Sequence, residues 1–165
     1  MLTRALLAST LAIGHSIAMA NDSLPYKTAA ENGIKTCLTQ IRDVGNFIVK
    51  GNAHASHDFW NRDNANDRMF SSFLVKSYSD GDSHISVIVG PDKSGACYAE
   101  YNETSFWPKS CTVLREEVFS GVKFSGALKG TTTVLENPEG SVNIYMPPQN
   151  GGNSCLTTKR EVIYY

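Results

Sequence analysis

No run of Lys or Arg interrupts this sequence, and its 15 basic residues are matched by 16 acidic ones, for a net charge of −1. That balance excludes capture of nucleic acid or anionic lipid by charge alone. Beyond the first 20 residues, no apolar stretch approaches the length of roughly 20 that a transmembrane helix needs. Cys-x-x-Cys is absent, which removes thioredoxin-type redox chemistry and the usual zinc knuckle. There is no Gly-x-Ser-x-Gly elbow, no His-Glu-x-x-His and no phosphate-cradling glycine loop. Glu116 and Glu117 are adjacent and diverge on a helix or a strand, so no glycosidase-like carboxylate pair is identified. No cofactor motif is present, and no cofactor is expected.

What is present begins with a leader. Arg4 gives a short positive start, 5–13 (ALLASTLAI) is an apolar run, and Ala18-Met19-Ala20 is a small-residue cleavage site. This is the anatomy of a secretory signal peptide over 1–20, with a run too short to span a bilayer. Residues 21–165 then form a single domain, long enough to bury a core of its own. All four cysteines (Cys37, Cys97, Cys111, Cys155) lie beyond the cut. An oxidising compartment and two disulfides follow. The periplasm is the expected address, with secretion to the outside as the alternative.

The clearest local signal covers 28–50. Ala30, Ile34, Cys37, Leu38, Ile41, Val44, Phe47 and Ile48 recur at spacings of three and four, which places one apolar stripe on a long helix. Thr28 with Glu31 fits a capping box, and Gly51 fits a left-handed stop. The β-rich runs 71–78 (SSFLVKSY) and 84–89 (HISVIV) flank a turn, and 96–101 follows a second one. Runs 131–135 and 142–146 read as another hairpin, and 155–164 as the last strand. The segment 110–119 suits either a short helix capped by Ser110 or a strand, with the helix preferred. The expected fold is α+β: one long N-terminal amphipathic helix on an antiparallel sheet of about five strands, held by two disulfides.

Four cysteines allow three pairings, and sequence does not choose among them alone. Proximity favours Cys97–Cys111, which would tether the loop carrying Phe106-Trp107-Pro108. Cys37–Cys155 would then tie the helix to the terminal strand.

Candidate chemistry is sparse. His54 and His57 are three apart and would converge on a metal, with Asp58 adding oxygen, only if the segment were helical. The tract reads instead as a polar loop. Calcium finds oxygen-rich turns at 61–67 and 80–82, but neither has EF-hand spacing. The aromatics are more suggestive: Phe106, Trp107, Trp60 and Tyr101 sit in or beside polar, turn-rich segments, where aromatic rings serve as recognition anchors.

Cys37 within the helix stripe, Trp60-Asn61 with Arg68-Met69-Phe70, Cys97 through Tyr101, Trp107 with Cys111, and the terminal run from Cys155 to Tyr164 together resemble a group of small exported bacterial proteins. No established activity comes with that resemblance, so it implies address and architecture. The expected function is an exported, disulfide-stabilised binding protein of the bacterial envelope, of inhibitor or immunity type, whose partner is an envelope protein or a delivered toxin. The alternative is a periplasmic hydrolase using His57 or His84 with nearby carboxylates.

Overall fold

The computed structural model describes residues 22–165, so the expected leader lies outside the described residues. Three short helices, α1 (Leu24–Glu31), α2 (Leu38–Val49) and α3 (Cys111–Glu117), accompany nine strands. The strands are β1 (His54–Trp60), β2 (Phe70–Tyr78), β3 (Gly81–Pro91), β4 (Cys97–Trp107), β5 (Lys123–Leu128), β6 (Thr132–Glu136), β7 (Val142–Met146), β8 (Pro148–Gln149) and β9 (Ser154–Tyr164). They form one antiparallel sheet in the order β1-β2-β3-β4-β9-β7-β6-β5, with β8 paired to β9. Two meanders, β1 to β4 and β5 to β7, are therefore stitched together by the last strand running between them.

The α+β class and the antiparallel sheet stand, but the single long helix does not, and the sheet has nine strands where about five were expected. The helix's apolar stripe is correct in burial and wrong in continuity. Ile34, Cys37, Ile41, Val44 and Ile48 are buried, while Ala30 and Phe47 are exposed and Ala29 takes the inward place. The chain stops at Asn32–Gly33, where Gly33 has φ +73° and donates to the Ala30 carbonyl. A positive φ costs glycine almost nothing and ends a helix readily. Cys37, itself at φ 56°, turns the chain back into α2.

Register and burial show that all three helices cover the same face of the sheet. In β3 the alternate residues Ser83, Ile85, Val87 and Val89 are buried, and they align with Ala99 and Tyr101 of β4 and on to Glu161 and Ile163 of β9. With Phe70 and Leu74 they form the larger core under α1 and α2. Further along the same face, Leu135, Ile144, Met146 and Cys155 form a smaller core under Leu114 of α3. Ser110 caps α3 by accepting from the Val113 amide, which is the preferred reading of that ambiguous segment.

The disulfides are Cys37–Cys97 and Cys111–Cys155, and this corrects the expected Cys37–Cys155 and Cys97–Cys111 pairing. The reason is strand length. Cys97 opens β4 and Trp107 closes it, so these 11 residues set Cys97 and Cys111 at opposite ends of one extended run of about 35 Å. Cys155 pairs in register with Trp107, at the far end from Cys97. Each cysteine therefore meets the helix at its own end of the sheet: α2 for Cys97, α3 for Cys155.

Gly45 fixes how the N-terminal segment crosses α2. A Cβ there would collide with the Ser23 hydroxyl and sit 3.2 Å from Ser23 Cβ, and Ser23 is fully buried. Gly45→Ala is expected to cost about 1–3 kcal/mol by overpacking, although alanine is the better helix former. Urea denaturation measures it, and adding Ser23→Gly should restore part of the loss.

Candidate functional site

Because all three described helices lie on one side, the other face of the sheet carries no helix among the described residues. Its residues alternate with the buried ones: His57 and Phe59 on β1, Phe73 and Val75 on β2, His84 and Ile88 on β3, Tyr98, Glu100 and Phe106 on β4, Leu156, Arg160 and Tyr164 on β9. Phe59 (58%), Phe73 (46%) and Phe106 (58%) are among the most exposed large apolar side chains of the chain. His57 packs on Phe59 with ring centroids 4.6 Å apart, and His84 on Phe73 at 5.6 Å. Nearer the middle of the face, Arg160 Nε donates to Glu100 Oε1 at 3.0 Å. The Arg160 hydrogen bond holds the Glu100 carboxyl below its ordinary range.

The sheet is hollowed at one end of this face, where residues of both faces meet. A cleft of about 530 Å³ is lined by Phe59, Trp60, Asn61, Asp67, Arg68, Met69, Ser71, Pro91 and Tyr98. Its walls are the ends of four strands and the loop 61–69. That loop is held from both sides. Asn61 Oδ1 accepts from the Asp63 and Asn64 amides, and Asn66 Oδ1 accepts from Lys35 and Thr36 on the α1–α2 connection. Met69 lies directly over Gly90, where a Cβ would sit 3.1 Å from Met69 Cα. The glycine lets loop backbone and sheet touch, and this sets the position of the cleft wall. Aromatic and thioether walls with a cation and a carboxylate among the lining groups make a recognition surface of the usual composition.

Of the four aromatic residues expected to bind, only Trp60 lines this cleft, and it does so from the helix side of β1, where its ring stacks on the buried Phe70 with centroids 6.5 Å apart. Phe106 is exposed on the open face, but at the opposite end of β4. Trp107 turns to the helix side, covers the smaller core and donates its indole N–H to Thr157 Oγ1 at 2.8 Å. The expected Phe106-Trp107 contact loop is thus a strand, and its two rings point to opposite faces. Tyr101 is a core residue, 1% exposed, whose hydroxyl donates to Glu161 at 2.6 Å. Burial, reinforced by that carboxylate, pushes the phenol far above its ordinary range.

The histidine tract is strand β1, not a loop or helix turn, so His54 and His57 project from opposite faces. His54 Nε2 accepts from the Leu24 amide, and Asp58 Oδ2 accepts from Ser56 on the helix side. The three weak metal candidates His54, His57 and Asp58 do not converge. Among the described residues, no group of three or more His, Cys, Asp or Glu could hold a metal ion. His57 and His84 share the open face, and neither ring hydrogen-bonds a carboxylate among the described residues. Phe59 and Tyr98 belong to the aromatics that the sequence sets in polar, turn-rich segments, whereas Arg68 and Met69 are marked in the sequence only by the Arg68-Met69-Phe70 motif.

The fold and cleft define an α+β protein with two disulfides, the chemistry of an oxidising compartment, and no described helix is long and apolar enough to cross a membrane. No protein-family model matches the chain, and no curated protein or solved structure is significantly similar to it.

Proposed function

We propose that this chain is an exported, non-enzymatic binding protein of the bacterial envelope, of inhibitor or immunity type, which grips a protein partner at the aromatic end of its open face. The observation that carries this reading is the convergence of Phe59, Trp60, Met69, Pro91 and Tyr98 on one cleft, with Asp67 and Arg68 beside them. Aromatic anchors and arginine in a concave, largely apolar site supply most of the energy of protein recognition. The periplasm is the preferred compartment, with the extracellular space as the alternative, because both keep disulfides oxidised. The hydrolase reading, through His57 or His84, has weaker support, since each imidazole rests on a phenyl ring rather than on an orienting carboxylate.

The test uses Phe59→Ala with Arg68→Ala, both exposed and outside the two cores. Cross-linking in intact envelopes should yield one stoichiometric partner for the native protein. The double variant should melt within a few degrees of it and bind that partner at least about tenfold more weakly, a change of about 1.4 kcal/mol. Unchanged affinity would move the contact away from the cleft. Loss of a measured hydrolytic activity in His57→Ala or His84→Ala would favour the enzyme.

A further inference from the structure

The two edges of the sheet are not equally protected. At one end, β5 is six residues long, opens with Lys123 and carries a bulge between Phe124 and Gly126. Lysines and bulges are the usual devices that stop an edge from pairing with another strand. At the other end, β1 runs for seven residues in unbroken register with β2 and has no proline, lysine or bulge. Its one guarding device is the inward-pointing Asp58, whose Oδ2 accepts from Ser56 while the buried Oδ1 has no partner among the described residues. Among the described residues, no strand pairs with its outer side. Such an edge takes only an extended strand, because the recognition is main chain to main chain.

We propose that the strand it takes is β1 of a second copy, paired antiparallel about a two-fold axis at His57. The sequence of β1, HASHDFW, is complementary to itself in that register. On the open face, the small Ala55 comes opposite the large, exposed Phe59 of the second copy, twice, and His57 meets its own counterpart. On the helix side, Ser56 comes opposite Asp58, hydroxyl to carboxylate, and His54 opposite Trp60, ring to ring. Every pair is matched in size or polarity, as an isologous interface requires. Slipping the register by one residue moves the axis between residues and sets outward side chains against inward ones. The two clefts then flank the seam, since Phe59 and Trp60 belong to both cleft and strand. A seven-residue ladder is a small interface, so the association is concentration-dependent.

Sedimentation of the purified protein over a range of micromolar concentrations should show a monomer–dimer equilibrium. His57→Glu places two carboxylates face to face at the axis and should weaken the dimer at least about tenfold. His57→Cys should form a disulfide to its own counterpart under air oxidation, while Ser77→Cys, on the next strand, should not. A native protein that sediments as a monomer throughout would overturn the proposal. So would a dimer that His57→Glu leaves intact, or a His57→Cys protein that stays unlinked. Because Phe59 serves both cleft and seam while Arg68 lies outside the strand, Arg68→Ala alone separates the two tests: it should weaken partner binding and leave the dimer unchanged.

Discussion

Replacing Cys37 and Cys97 together with alanine is expected to lower the unfolding free energy by about 4 kcal/mol, and the melting temperature by roughly 10 °C. The bond closes a separation of 60 residues, and restraining the unfolded chain over such a loop accounts for that size. Cys111–Cys155 closes 44 residues, and because the dependence is logarithmic the same argument gives it nearly the same value. What separates the two bonds is the folded side. Cys37 is anchored in the larger core, whose buried members also come from α1, α2 and the three strands β2, β3 and β4. Losing its bond should act on the whole cooperative unit, so that fluorescence and far-UV signals shift together. The smaller core has five fully buried members and a seven-residue helix, too short to persist without packing. Cys111→Ala with Cys155→Ala should therefore first open α3, seen as lost amide protection over 111–118 while β2 to β4 stay protected. Peptide mapping without reduction should return 37 with 97 and 111 with 155. A 97–111 peptide would refute the topology, since it requires β4 to fold back on itself.

The cysteine pairing also marks where the sequence ceased to be readable. The count and the compartment followed from composition, but the partners depend on where β4 ends. The segment from Asn102 to Trp107 looks like turn and loop because its residues are polar on both faces and aromatic only at the tip. It is in fact the second half of a long strand, paired with β9 from Arg160 to Cys155. Strand β1 was hidden for a related reason. Helices cover only one of its faces, and His54, Ser56 and Asp58 on that face are polar, so the period of two that reveals a half-buried strand is missing. β5 is exposed along nearly all of its length and left no pattern either. Where an element buries a continuous apolar set, as β2 and β3 do through Leu74, Ile85, Val87 and Val89, the expected strand and the observed one agree closely. The cleft is the least legible part. It is made by the ends of four strands and a glycine contact between Met69 and Gly90, none of which is local in sequence.

Glu103→Leu is expected to be more damaging than Lys76→Met, although the two residues form one ion pair. Lys76 is 3% exposed, and its ammonium reaches Glu103 Oε1 at 2.7 Å and the Ile48 carbonyl at 3.0 Å. That carbonyl belongs to the last turn of α2, which lacks intrahelical donors, so Lys76 caps the helix from the sheet. Glu103 has other donors, Ser83 Oγ at 2.9 Å and Tyr78 OH at 3.0 Å. Removing Glu103 strands a buried ammonium with one carbonyl and the face of Tyr78, and should cost about 3–5 kcal/mol. Removing Lys76 leaves a hydrogen-bonded carboxylate nearer to solvent, and should cost about 1–3 kcal/mol. The double replacement should recover most of the larger loss, because an apolar pair of similar volume carries no unpaired charge. The pH dependence has a definite sign. Burial pushes the Glu103 carboxyl up, but the Lys76 hydrogen bond and charge outweigh it, and the folded value lies below the ordinary 4.5. Its contribution is therefore complete above that unfolded value and is lost as pH falls through the lowered folded one. Burial likewise pulls Lys76 down and is outweighed by Glu103 and Tyr78, so its folded value lies above 10.5. That contribution is complete below 10.5 and is lost as pH rises through the raised value. Denaturation curves at pH 3 and pH 7 should accordingly differ less for the double variant than for the native chain. Equal costs for the two single variants, with strict additivity in the double, would show that the pair is not coupled and that α2 is held to the sheet by packing alone.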